Sequence, residues 1–177
     1  MKALEVGAPC QRWAIDLCGP FRISDGYKYL FTAIDAYSKY VILQPIRNKE
    51  AETVAQAILD RIFYRWGACE TLHSDQGSEF NNCILAEITR QLNVCKTRTS
   101  PYRANCYGQI ERMHRTLHDC MAKLVTDNQS DWSRLIPYAE FVFNSSIHAS
   151  TGFSPYFIMT GERPSGRLIC SCRNPNR

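Results

Sequence analysis

Three carboxylates stand at positions that metal-dependent phosphate chemistry could use. Asp16 interrupts the apolar run Trp13-Ala14-Ile15-Asp16-Leu17. Asp75 follows Thr71-Leu72-His73 within His73-Ser74-Asp75-Gln76-Gly77-Ser78-Glu79-Phe80, and Glu111 lies in Tyr107-Gly108-Gln109-Ile110-Glu111-Arg112-Met113. Thirty-five residues separate Asp75 from Glu111. Carboxylates drawn from distant parts of a chain commonly hold divalent ions. Singly, each has a plainer explanation. Backbone amides or a basic partner could satisfy a buried Asp16, which otherwise costs free energy in an apolar strand. Asp-Gln-Gly is an ordinary turn in which Gly77 supplies a positive φ, and helices carry surface glutamates everywhere.

Placement gives the three their combined force: a central strand, the end of a neighbouring strand, and a helix able to pack across that edge. Two Mg²⁺ ions roughly 3.5–4 Å apart need such a cluster, with one carboxylate bridging them. One ion would activate water or a DNA 3′-hydroxyl, and the other would stabilise the leaving oxygen in an in-line displacement at phosphorus. No protein nucleophile is required. The residues alone reach phosphodiester chemistry on DNA or RNA without choosing between cutting and joining.

The elements that must position these groups follow from periodicity. Trp13 to Cys18 reads as a buried strand ended by Gly19-Pro20. Ser24-Asp25-Gly26 marks a hairpin into a strand over Tyr27 to Ile34, and Asp35-Ala36-Tyr37-Ser38-Lys39 turns into a third over Tyr40 to Leu43. Asn48 caps a helix with Glu50 and Glu52 in its first turn, and Val54, Ala57, Ile58, Arg61, Ile62 and Arg65 follow at helical spacing. Gly67 ends it. Thr71 to His73 is a short strand delivering Asp75, Ile84 to Leu92 a second helix, and Val94 to Thr99 a further strand. The order βββ-α-β-α-β describes an α/β architecture with a mixed five-stranded sheet flanked by helices. After a loop from Ser100 to Tyr107, a helix from Gly108 to about Val125 carries Glu111, Arg115 and His118 on one face, apart from the stripe Ile110, Met113, Leu117, Met121 and Leu124. Trp132 to Asn144 is amphipathic, and Ser154-Pro155 opens a last short helix through Met159.

Composition agrees with one folded domain: 177 residues, 45% apolar and 21% charged. No apolar run is long enough to span a bilayer, and Met1-Lys2-Ala3-Leu4-Glu5-Val6 lacks the apolar block of a signal peptide. Nine cysteines without a Cys-x-x-Cys pair read as reduced, mostly buried thiols. His114-x3-His118 with Cys170 and Cys172 makes a poor zinc set. The net charge of +4 is uneven: Lys96 to Lys123 holds six Lys or Arg against Glu111 and Asp119, and Glu162 to Arg177 four Arg against one Glu. The basic excess surrounds Glu111, as expected for a polyanion partner, although a solvated charged face accounts for charge alone equally well.

Four signatures in order resemble the integrase catalytic core of retroviruses and LTR retrotransposons, most closely the gypsy type. They are Trp13-x2-Asp16 with Gly19-Pro20; His73-Ser74-Asp75-x-Gly77-x2-Phe80; Gly108-Gln109-x-Glu111-Arg112-Met113-x-Arg115-Thr116-Leu117; and Ala139-Glu140-Phe141-x2-Asn144-Ser145-x2-His148-x-Ser150-Thr151-Gly152-x-Ser154-Pro155. The resemblance implies an RNase H-like fold over residues 13–164, after a lead-in at 1–12 and before a basic, disordered tail at 165–177. It implies Asp16, Asp75 and Glu111 as ligands for two Mg²⁺ ions, with Mn²⁺ substituting, and two reactions on double-stranded DNA, 3′-end processing and strand transfer. Candidate nucleic-acid contacts are Arg98, Arg103, Tyr107, Gln109, Arg115 and His118. A homodimer or higher assembly, no membrane partner and action in the nucleus complete the expectation. The loop Tyr102-Arg103-Ala104-Asn105-Cys106-Tyr107-Gly108 departs from the family's pattern in lacking a Pro and the Asn before Gly, which changes its stiffness and polar contacts. The family's N-terminal zinc domain and C-terminal DNA-binding domain have no counterpart here, so the chain reads as a fragment or a truncated copy. A catalytically inactive integrase-derived binding or scaffold protein, and an RNase H-type nuclease, are the competing readings.

Overall fold

The computed structural model describes residues 7–98, Arg115, Asp119 and residues 131–164. The first three apolar runs form strands β1 (Arg12–Cys18), β2 (Tyr29–Asp35) and β3 (Val41–Ile46), paired antiparallel in sequence. Strands β4 (Thr71–Ser74) and β5 (Cys95–Arg98) add in parallel on the other side, giving the order β3-β2-β1-β4-β5. The strand that carries Asp16 is therefore the middle one. The expected mixed five-stranded sheet is present, with strand bounds within about two residues at most ends.

Two-residue periodicity sends each strand's side chains to both faces. On one face Trp13, Ile15, Phe31, Ile42 and Leu72 pack under α1 (Ala51–Ile58) and α2 (Cys83–Gln91). On the other, Leu30, Ile34, Val41 and Leu43 pack under Trp132, Ile136 and Ala139 of α3 (Trp132–Ser145). A short helix, α4 (Pro155–Thr160), is capped by Ser154 Oγ, which accepts from Phe157 N at 3.3 Å. The helix expected from Gly108 to Val125 falls outside the described residues, apart from Arg115 and Asp119, both helical and exposed. Among the described residues no helix is long and apolar enough to cross a membrane.

Three expectations need correction. Asn48 is not the cap of α1: Glu50 holds that position, and Asn48 Oδ1 accepts from Glu50 N at 3.2 Å in the preceding turn. The helix also does not run uniformly to Gly67. A π-helical turn, Leu59–Phe63, follows α1 before the closing turn Tyr64–Trp66. Such a turn inserts one residue into the helical phase, and Arg61 lies within it. Among the described thiols Cys18 and Cys69 are buried, but Cys83 and Cys95 are exposed. Cys83 opens α2 and Cys95 starts an edge strand, positions that the sheet leaves uncovered.

The other edge strand, β3, is closed by side chains of α3. Asn144 accepts from Val41 N and donates to Val41 O, both at 2.8 Å, while Glu140 Oε2 accepts from Leu43 N at 2.7 Å. Pro45 has no amide to offer. Unpaired strand edges recruit other chains, so residues four apart on one helix serve as a surrogate sixth strand. Replacing Asn144 with Ala leaves a buried N–H and C=O unpaired, and a loss of about 1–3 kcal/mol is expected in urea unfolding.

Candidate active site

Strand register decides which carboxylates meet. Ala14 pairs with His73 across the parallel β1–β4 ladder; Asp16 follows two residues on within β1, and Asp75 two residues on, just past the end of β4. Adjacent strands run roughly 4.8 Å apart, and side chains level with one another in parallel strands project to the same face. Two sequence-expected ligands thus lie toward the same end of two adjacent strands. Glu111 lies outside the described residues.

The backbone explains how each carboxylate is held. Gln11 O accepts from Thr71 N on the β4 side, while Arg12 O accepts from Ala36 N on the β2 side. Odd-numbered groups of β1 therefore face β4. Leu17 N points past Ser74, where β4 has already ended, and Asp16 Oδ1 accepts from it at 2.8 Å. Asp16 is half-buried, where the neighbouring strand has ended. Asp75 is exposed, and its Oδ1 accepts from Gly77 N at 2.9 Å. Gly77 does not adopt the positive φ expected of it. A Cβ there would meet the Glu79 carboxyl carbon at 2.8 Å and Asp75 Oδ1 at 3.0 Å, both at the far ends of side chains that can turn aside.

Cys18 lies on the face of Asp16, and its thiol is pushed up to about 12, by burial first and the Asp16 charge second. His73, 5% exposed, hydrogen-bonds through Nδ1 to Thr97 Oγ1 at 3.0 Å. Burial, then the Arg12 charge, pushes its pKa down to about 4, so the ring beneath the carboxylates is neutral at pH 7. Thr32, the fully buried cross-strand partner of Asp16, donates through Oγ1 to Asp16 O at 3.3 Å. Sequence reading missed Thr32, although a polar residue within Leu30 to Ile34 was the available signal.

Of the expected nucleic-acid contacts, Arg98 sits exposed at the end of β5, in register with Ser74, and donates to Asn81 Oδ1. Arg115 is exposed and helical. Arg103, Tyr107, Gln109 and His118 lie outside the described residues.

Residues 7–104 match the Integrase core domain family. The chain belongs to that family. The match includes Asp16 and Asp75 and stops before Glu111. Among relatives, the Pol polyprotein of transposon 412 of Drosophila melanogaster is 29% identical over 151 residues, covering 85% of this chain. The Gag-Pol polyprotein of avian reticuloendotheliosis virus is 31% identical over 157 residues, covering 89%. The Pol polyprotein of feline endogenous virus ECE1 is 33% identical over 165 residues, covering 93%. The chain spans only 12%, 14% and 16% of those three polyproteins. The catalytic core domain of BIV integrase superposes with a TM-score of 0.67 at 26% identity, covering 85% of this chain and 93% of that one. The HTLV-2 integrase catalytic core domain, solved in complex with magnesium in a trimeric form, gives 0.70 at 17% identity, covering 88% and 99%. The integrase core fold is RNase H-like, as expected. Within it the fourth sequence signature is largely structural: Glu140 and Asn144 close the β3 edge, and His148 O accepts from Gly152 N at 2.9 Å in the turn before α4.

Proposed function

We propose that this chain is the catalytic core of a retroelement integrase, carrying out metal-dependent phosphoryl transfer on double-stranded DNA in both 3′-end processing and strand transfer. The observation that supports the reading is that Asp16, in β1, and Asp75, just past the end of β4, belong to the same end of two adjacent parallel strands of an integrase-core fold. Asp16, Asp75 and Glu111 are the proposed ligands for Mg²⁺ or Mn²⁺. The donor set suits them, since hard divalent cations take carboxylate oxygens. Two neighbouring carboxylates also repel one another until a cation lies between them. Bound there, the ions would supply Lewis-acid stabilisation to a phosphodiester under attack by water or a 3′-hydroxyl.

The chain's own contribution is orientation. Each Asp is fixed through one oxygen by a backbone amide, Leu17 N or Gly77 N, so its rotamer is set before any ligand arrives. The neutral His73 adds no charge to the ligand set. Arg98, one strand beyond Asp75, and Arg115 supply positive charge for the DNA backbone. The proposal extends to a homodimer or higher assembly and to action in the nucleus, where target DNA resides. The trimeric form of the HTLV-2 core and the simian T-cell lymphotropic virus intasome, which superposes with a TM-score of 0.73 at 17% identity over 92% of this chain and 60% of that one, support the assembly.

The deciding experiment is disintegration of a branched DNA substrate with Mg²⁺ or Mn²⁺, a reaction that asks least of any flanking domain. Metal-dependent product that disappears in Glu111→Gln is the expected result. A folded protein that binds DNA yet yields no product under either ion would instead establish the binding-protein reading.

A further inference from the structure

Asp75 shares its turn with a second carboxylate, Glu79. A Cβ added to Gly77 would stand 3.0 Å from Asp75 Oδ1 and 3.0 Å from Glu79 Oε1. The two oxygens border the same space and lie no more than twice that distance apart. Glu79 is half-buried and Asp75 exposed. Glu79 Oε2 accepts from Ser78 Oγ at 3.3 Å, and Asp75 Oδ1 accepts from Gly77 N at 2.9 Å. Each carboxylate keeps one oxygen, Asp75 Oδ2 and Glu79 Oε1, with no hydrogen-bond donor among the described residues. Neither has a basic partner among them. Arg98, at the end of β5, donates to Asn81 Oδ1 instead.

The turn holds the Glu79 backbone in place. Phe80 is 1% exposed, in the core with Leu72 and Leu85, and its amide donates to Gly77 O at 3.1 Å. Asn82 Nδ2 donates to Glu79 O at 2.7 Å, while Asn82 Oδ1 accepts from Leu85 N at 2.8 Å. The residue that caps α2 thus also grips the Glu79 carbonyl. Core and helix start fix the backbone, and only the Glu79 side-chain torsions stay free. Like charges held this close without a basic partner raise the free energy of the turn, and a cation beside them lowers it.

We propose that Glu79 is a fourth carboxylate of the metal site, accepting hydrogen bonds from the water around a divalent ion at Asp75 and so setting how tightly that ion is held. The inference rests on the reading of Asp16 and Asp75 as metal ligands, and it adds a residue to that set. Mg²⁺ dehydrates reluctantly and keeps several waters beside one or two carboxylates. An anionic acceptor one water away therefore contributes to its affinity without touching it. Groups in such positions orient the direct ligands, and their loss commonly costs about ten- to a hundredfold in metal affinity. Glu79 meets both requirements: its charge is uncompensated by the chain, and its unengaged oxygen borders the space that Asp75 borders.

The test titrates the whole chain with Mn²⁺, following the free ion by electron paramagnetic resonance. Glu79→Gln keeps the shape of the side chain and its acceptor for Ser78 Oγ, and removes only the charge. It should weaken Mn²⁺ binding about tenfold and, in EDTA, leave the melting temperature unchanged or slightly raised. Glu79→Asp, with the charge on a shorter arm, should recover part of the affinity. Glu87→Gln removes the same charge from an exposed site on α2, where it pairs with Arg90, and should bind Mn²⁺ as the wild type does. Wild-type affinity in Glu79→Gln, while Asp16→Asn loses binding, overturns the role of Glu79 and leaves the metal-site reading intact. Equal weakening in Glu79→Gln and Glu87→Gln overturns it too, since net charge would then account for the effect. Binding untouched by Asp16→Asn would sink the metal-site reading, and Glu79's place in it, whatever Glu79→Gln does.

Discussion

Asp16→Asn is expected to abolish disintegration, by at least about a thousandfold, while leaving the metal-free protein as stable as the parent or slightly more so. A thousandfold loss corresponds to about 4 kcal/mol of transition-state stabilisation, a reasonable scale for removing one anionic ligand from a shared metal site. The amide keeps the shape of the carboxylate, and its oxygen can still accept from Leu17 N, which Asp16 Oδ1 now binds at 2.8 Å. What vanishes is the charge. Without metal, no cation offsets the cost of holding that charge at a half-buried position, so its neutralisation removes an unfavourable contribution. The expected pattern in thermal unfolding is therefore crossed. Mg²⁺ or Mn²⁺ raises the melting temperature of the wild type, because a ligand bound only to the native state stabilises it. The same ions leave Asp16→Asn unmoved. Equal metal-induced shifts in the two proteins would show that Asp16 is no ligand, even if activity were lost.

Much of this arrangement can be read from the chain, and the unread part has a common physical origin. Asp16 announces itself as one carboxylate in an apolar strand, and the change from two-residue to helical periodicity after Leu43 locates α1. Register is different. That Ala14 pairs with His73, and so brings the segments of Asp16 and Asp75 to one end of the sheet, depends on how far β4 slides against β1, which residues 59 positions apart settle by packing. Gly77 illustrates a second limit: a turn glycine suggests a positive φ, and this one does not adopt it. The π-helical turn is likewise silent, because Ile58 and Ile62 keep their four-residue spacing while the backbone widens between them. Asn144 and Glu140 read as a family signature, but their partners are backbone amides 103 and 97 residues away. No local pattern encodes a hydrogen bond to a distant strand edge.

Glu140 carries the largest expected stability effect outside the core. Its carboxylate accepts from Arg61 Nη2 through both oxygens at 2.7 Å and from Leu43 N at 2.7 Å, so one side chain joins the π-helical turn, α3 and the β3 edge. Arg61 and Glu140 side chains are only 22% and 18% exposed. Glu140→Ala leaves the guanidinium with Gln44 Oε1 at 3.0 Å, strands Leu43 N, and adds to an Arg61 Nε that already lacks a partner. Removing one member of a largely buried pair costs about 3–5 kcal/mol; residual solvent access lowers the expectation to about 2–4. For a domain of this size that is a fall of roughly 5–12 °C in melting temperature. Glu140→Gln should cost much less. Burial pushes the Glu140 pKa up more strongly than Arg61 holds it down, so ionisation contributes little net stabilisation, and the amide oxygen still accepts from Leu43 N. Replacing both residues with apolar ones, as in Arg61→Met with Glu140→Leu, should recover part of the loss, since the desolvation of both charges disappears. Leu43 N would remain unpaired in that variant, so its β3 edge should still promote self-association at high concentration. Recovered stability with persistent association would separate the two duties of Glu140: charge partner to a helix, and substitute for a missing strand.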